Sequence, residues 1–202
     1  MTLKTLGKLA ATLLLGGALA GCIDAKVDVA LTSETTAKAT LTQDMGADFY
    51  SMVKMSAEQA GADAPKDDEF CAEGKLTENA DGSATCTIVE EGPFAGLTMG
   101  NDEQTIVFTP AGAGLVRVAL PTANMQEEIG AGETMDDETK KMVEAFFTGH
   151  GVTLVFSGAE IVESNMKIAA DKKSAEETIQ FLDLINGTAD LPDEYYAVVR
   201  VP

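Results

Sequence analysis

Hydrophobic and polar positions alternate along much of this chain, and two longer stretches break the alternation with a helical spacing. Val27, Val29 and Leu31 alternate with Asp28 and Ala30, and Ala37, Ala39 and Leu41 repeat the pattern beyond a turn at residues 32–35. A period of two puts alternate side chains on one face, so residues 27–31 and 36–43 are predicted to pair as a β-hairpin. Residues 23–26 read as a short tether ahead of it. From Gly46 to Gly61 the period changes. Phe49, Met52, Val53, Ala57 and Ala60 form one helical stripe, with Asp48 placed to cap its start and Gly61 its end. A polar loop over 62–69 leads to a second hairpin, 71–77 with 84–89, around Asn79-Ala80-Asp81-Gly82.

Residues 93–102 are glycine-rich and turn the chain. A third hairpin is predicted from 104–109 and 115–120, around Pro110-Ala111-Gly112-Ala113-Gly114. Thr134 or Asp136 can cap a second helix that runs to Phe147 on a stripe of Met135, Met142, Val143 and Phe146, and Gly149-His150-Gly151 ends it. Residues 152–156 predict a strand, Ile161-Val162 starts another, and 166–170 follows a turn at Ser164-Asn165. Ser174-Ala175-Glu176-Glu177 has capping-box spacing, yet Ile179 and Phe181 alternate with Thr178 and Gln180 and predict a strand over 178–184. Residues 196–201 form a closing strand. The sum is an α+β domain of about ten strands, mostly antiparallel hairpins in a meander, packed with two amphipathic helices. No repeat of fixed period and no second-domain boundary is visible.

The N-terminus has a different grammar. Lys4 and Lys8 precede an apolar run from Leu9 to Leu19, followed by Ala20, Gly21 and Cys22. A spanning helix needs roughly 20 apolar residues, so this run reads as a signal peptide, and no later run is longer. Leu19-Ala20-Gly21-Cys22 resembles the lipobox of bacterial lipoproteins. The resemblance implies cleavage between Gly21 and Cys22, a diacylglyceryl group on the Cys22 thiol, and a fatty acyl group such as palmitate on the new amino terminus. Residues 1–21 are then the signal and 22–202 a single lipid-anchored extracytoplasmic domain. In similar proteins of diderm hosts the residue after the Cys is a sorting cue. Ile23 there, rather than Asp, implies the periplasmic face of the outer membrane.

Charge narrows the partners. The chain carries 14 Lys and Arg against 33 Asp and Glu. Lys4 and Lys8 leave with the signal, so 12 basic residues face 33 acidic ones, a net of −21. Such a surface repels phosphate backbones and anionic headgroups, which argues against nucleic acid and against membrane binding through basic residues. The membrane partner is therefore expected to be reached through the lipid on Cys22. A hydrophobic content of 45% supports a packed core, while the absence of Trp argues against a sugar-stacking platform.

Cys71 and Cys86 remain as an even pair in an exported chain and read as a disulfide. If Asp81-Gly82 were a two-residue turn, Cys86 would face Thr77 and Cys71 would lie too far along the ladder. Either the turn is wider, or Cys71 lies outside the ladder and folds back.

Two segments resemble the LppM-type lipoprotein domain. One is the Cys followed at once by a hairpin, Lys26-Val27-Asp28-Val29-Ala30-Leu31 and Lys38-Ala39-Thr40-Leu41. The other is Val152-Thr153-Leu154-Val155-Phe156-Ser157-Gly158, then Val162-Glu163-Ser164-Asn165, then a strand ending near Phe181. Ser157 stands where Pro is usual and Met166 where Gly is usual. The resemblance implies a lipid-anchored envelope domain of α+β fold that binds a lipid or glycolipid.

Catalytic chemistry finds little purchase. His150, the single histidine, sits between glycines as a loop residue, and no Gly-x-Ser-x-Gly elbow accompanies it. Asp67-Asp68-Glu69 and Asp136-Asp137-Glu138 lack the spaced ligands of a calcium loop. No glycine loop has phosphate-binding context, and no cofactor or metal is expected. Met45, Met52, Met55, Met135 and Met142, with Phe146, lie on or beside the two helices. Met adapts to irregular apolar surfaces, so these residues are either core or an acyl-chain groove between helices and sheet. The reading is a non-catalytic envelope lipoprotein with a lipid, glycolipid or envelope protein as partner. The alternative is an envelope hydrolase using carboxylates that the sequence does not locate.

Overall fold

In a computed structural model the chain is described over residues 23–60, 70–72, 74–98, 106–123 and 137–202. The first hairpin is β1 (Ile23–Leu31) and β2 (Thr36–Met45), and α1 (Ala47–Ala60) follows directly. Then come β3 (Lys75–Glu78), β4 (Ala84–Pro93), a 3-10 turn at Phe94–Gly96, β5 (Val107–Gly112) and β6 (Leu115–Pro121). The second half holds α2 (Asp137–Phe147), β7 (Gly151–Ser157), β8 (Glu160–Ser164), β9 (Lys167–Ile168), β10 (Ser174–Gln180), α3 (Phe181–Ile185) and β11 (Glu194–Arg200).

The strands form two sheets. The larger has the order β3-β4-β2-β1-β7-β10-β9 and the smaller β5-β6-β11-β8. Their pairings are antiparallel except for β1 with β7, which run parallel, Ala25 opposite Val152 through Ala30 opposite Ser157. Alternation places Val29, Leu31, Ala37, Ala39, Leu154, Phe156, Ala175 and Ile179 of the larger sheet on one face. There they meet Val116, Val118, Ala197 and Val199 of the smaller sheet in a single core. Each fully buried Val, Leu or Phe in it contributes about 1.5–3 kcal/mol relative to exposure. A second, smaller cluster of Met45, Tyr50 and Ala84 seats α1, with Phe49, Val53 and Phe70 around it.

Three sequence readings change. Residues 23–26 are not a tether: they are the first part of β1, and Ile23 already pairs with Met45. The alternation runs back from Val27 through Ala25, which is buried. The strand expected from 178 begins earlier, and the polar residues 174–177 belong to it. Ser174 opens β10 opposite Ser157, after a turn closed by Lys172 in the left-handed region (φ 58°). The predicted strand over 178–184 stops at Gln180. Phe181 and Leu184, both buried and three apart, form one side of α3, and the Phe181 ring meets Phe147 edge-on at 5.8 Å. Tertiary packing of that pair overrides local alternation.

The Cys71–Cys86 disulfide forms, with the two Cα atoms 5.4 Å apart. Both ways out of the ladder problem operate. The register sets Leu76 against Cys86 and Glu78 against Ala84, and the Asn79 amide donates to the Ser83 carbonyl, which leaves a three-residue turn. Gly82 takes φ +88° in that turn, a conformation that glycine adopts without steric cost. Cys71 lies outside β3 and reaches back over it.

Candidate functional site

The strand register gathers one end of the larger sheet around the start of β1. Ile23 pairs with Met45, Met45 with Ala84, Ala25 with Val152, and Gly151 with Gln180. β1, β4 and β7 start at this end, and β2, β3 and β10 finish there. The connections that leave from it are α1, the turn at 79–83, the approach from α2 through Thr148-Gly149-His150, and α3.

Asp24 fastens this end. Its carboxylate accepts the Gly151 amide at 3.1 Å and lies 3.0 Å from His150 Nδ1. His150 is a loop residue, as its flanking glycines imply, and its carbonyl also accepts the Phe181 amide. One loop residue thereby ties β1, β7 and α3 together. Asp24 stands directly opposite Asp44, a pairing that like charges disfavour. The structure offsets it by giving Asp44 a hydrogen bond from the Thr85 hydroxyl at 2.6 Å.

Beside it, α1 and the 79–83 turn enclose a cleft of about 420 Å³. Tyr50 Oη and Lys54 Nζ both donate to Glu78 Oε1 at 2.8 Å. The hydrogen bond from Lys54, and then that from Tyr50, holds the exposed Glu78 carboxyl below its usual range. Burial, and then the bond to Glu78, pushes the Tyr50 hydroxyl up. Asp81 is likewise held low by the Ser83 hydroxyl and amide. Asn79 and Met55 complete the cleft wall.

Among the described residues, the methionines read as either core or an acyl groove take different places. Met45 is core, in the small cluster under α1. Met52 and Met55 are exposed on α1 at 44% and 53%, Met55 in the cleft wall with Tyr50, and Phe146 is exposed on α2. Met135, and the side chain of Met142, lie outside the described residues, as do Gly21 and Cys22. α1 rests on Met45 and Ala84, whereas α2 joins the main core through Phe147 and Val143, so the two helices serve different clusters.

On the outer face of the smaller sheet, Arg117 makes a two-pronged bridge to Glu194 at 2.6 and 3.2 Å. It also stacks over Tyr196 at 4.3 Å, and the Tyr196 hydroxyl donates to Glu163. The bond from Arg117 holds the Glu194 carboxyl low. A carboxylic acid serving as proton donor near neutral pH needs the opposite shift, so Glu194 is suited to pinning β11 and not to acid catalysis. Among the described residues, no three His, Cys, Asp or Glu side chains gather so as to hold a metal ion. Asp67-Asp68-Glu69 and the side chains at 136–138 lie outside them.

No helix among the described residues is long and apolar enough to cross a membrane. No family model and no curated protein matches this chain. Among solved structures, the folded domain of the Mycobacterium tuberculosis LppM protein, determined by NMR, is similar. It shares 10% identity over 90% of this chain and 91% of that one, with a TM-score of 0.48.

Proposed function

We propose that this chain is a lipid-anchored, non-catalytic protein of the cell envelope. It is held through acyl groups on Cys22, on the periplasmic face of the outer membrane where the host has two membranes, and it acts by binding an envelope partner. The observation that carries this reading lies in β1. Ile23, the residue directly after the lipobox Cys, is already paired in the sheet. The lipidation signal and the folded domain therefore abut without a linker. Asp24, one residue further, is bound to Gly151 and His150, which makes the attachment point rigid. A rigid attachment suits a protein that presents a surface at a set height above the bilayer. The interior is filled by side chains from both sheets, which favours a protein partner on the surface over a lipid held between the sheets.

The test is a Cys22→Ser variant expressed in the host. It is expected to take up no acyl label and to leave the membrane fraction once its signal is removed. A processed variant that still sediments with membranes in high salt would overturn the proposal.

A further inference from the structure

We infer that the end of the larger sheet where β1 starts is a bilayer-contact surface, and that Met52, Met55 and Phe146 enter the headgroup layer of the zwitterionic membrane that Cys22 enters. The inference rests on the proposed acylation of Cys22 and deepens it.

Three observations carry it. First, consecutive Cα atoms lie about 3.8 Å apart, so with Ile23 in the sheet the lipidated residue can stand no further than that from the folded domain. Acyl chains in the bilayer core then bring this end of the sheet to the membrane surface. Second, the elements that carry exposed large apolar side chains attach at this end. α1 starts two residues after Met45, the partner of Ile23. It turns Phe49, Tyr50 and Val53 to its cluster and leaves Met52 and Met55 uncovered. α2 returns to this end through His150, with Phe146 exposed one residue before its C-terminus. Unbranched, polarizable Met side chains and an aromatic ring suit an interface that is apolar on one side and wet on the other. Third, four carboxylates of this end are hydrogen-bonded. Asp24 is bound to His150 and Gly151, Asp44 to Thr85, Glu78 to Lys54 and Tyr50, and Asp81 to Ser83. Those hydrogen bonds lessen the cost of approaching headgroups, although the charges remain. The chain's net acidity opposes anionic lipid, which is why a zwitterionic surface is the occupant and the tether supplies the proximity.

The experiment uses the full acylated chain reconstituted into vesicles of phosphatidylcholine and phosphatidylethanolamine. Single variants Met52→Cys, Met55→Cys, Phe146→Cys and, at the far end of the sheet beyond β4, Ala95→Cys carry an environment-sensitive fluorophore. All four positions are exposed, so the substitutions leave the core alone. On reconstitution, the labels at 52, 55 and 146 are expected to shift their emission to the blue and to lose access to a water-soluble quencher, while the label at 95 changes in neither. Flotation of the unlabelled protein with the vesicles reads anchoring separately. Flotation with all four labels equally exposed to water would overturn this inference and leave the anchoring intact. Failure to float would overturn the anchoring reading and this inference with it.

Discussion

Gly74 is fixed by the bridge it packs against. A Cβ at this position would lie 2.7 Å from Cys86 Sγ and 2.9 Å from both Cys71 Sγ and Ile88 Cγ1. Gly74→Ala must therefore displace the disulfide or the strand beneath it. A loss of about 1–3 kcal/mol is expected, the usual cost of overpacking a filled site, read as a lowered urea midpoint. A midpoint equal to that of the natural protein would show that the segment yields freely. Glu78 makes a prediction in pH. Its folded pKa lies below its unfolded one because Lys54 and Tyr50 bind the ionised form. Its contribution is thus complete above the ordinary carboxyl range and is lost as pH falls through the folded value. The melting temperature of Glu78→Gln should lie below that of the natural protein at pH 7, and the gap should close on acidification toward pH 3. A gap that widens would contradict the assigned hydrogen bonds. At this scale the sequence announces the cysteine pair, because Cys71 and Cys86 are the two cysteines beside Cys22 in a chain whose N-terminus reads as an export signal. It does not announce Tyr50 with Glu78, 28 residues apart, or Asp24 with His150, 126 apart. Ordinary polar residues carry no mark of a partner until the register brings them together.

At the scale of elements, periodicity located the hairpins and both long helices, because at least one strand of each hairpin is buried on one side and the alternation survives in its residues. It failed at Phe181–Ile185, where a short apolar run fits either period and the contact with Phe147 decides. The disulfide belongs to this scale, since it ties the segment leading into an edge strand to its neighbour β4. β3 has four residues, is exposed throughout and pairs with β4 alone. A bridge closing a 15-residue separation contributes about 3 kcal/mol in the chain-entropy account. Cys71→Ser with Cys86→Ser should lower stability by about that amount. Amide exchange should rise first in β3 and α1, the neighbours of the bridge, and last in β6 and β11, which lie in the other sheet and bury Val116, Val118 and Val199 in the main core. Uniform acceleration across both sheets would mean that the bridge stabilises the unfolded-state balance alone and holds no particular element.

On the scale of the molecule, β1 starts directly after Cys22 and yet lies inside the sheet, between β2 and β7. The parallel pairing with β7 joins positions over a hundred residues apart, and nothing in the local pattern of either strand foretells it. Only the buried character of both hints at a central location. The mechanical consequence concerns height. Nine residues of β1 span about 30 Å at the rise of an extended strand, so under the proposed acylation of Cys22 the far end of the sheet, marked by Ala95, stands at a set distance from the bilayer. Inserting ten Gly and Ser residues between Cys22 and Ile23 would add a coil of about 17 Å root-mean-square span without touching the lipobox or any core residue. With Cys22 acylated as proposed, membrane fractionation should be unchanged, because the insertion leaves the lipidation signal intact. The distance between a label at position 95 and a dye on the lipid headgroups should broaden and lengthen, because the domain no longer rests directly on its anchor. A distance distribution that matches the natural chain would mean that contacts other than the short connection hold the domain in place. Broadening with retained fractionation would identify the missing linker as the feature that orients the molecule.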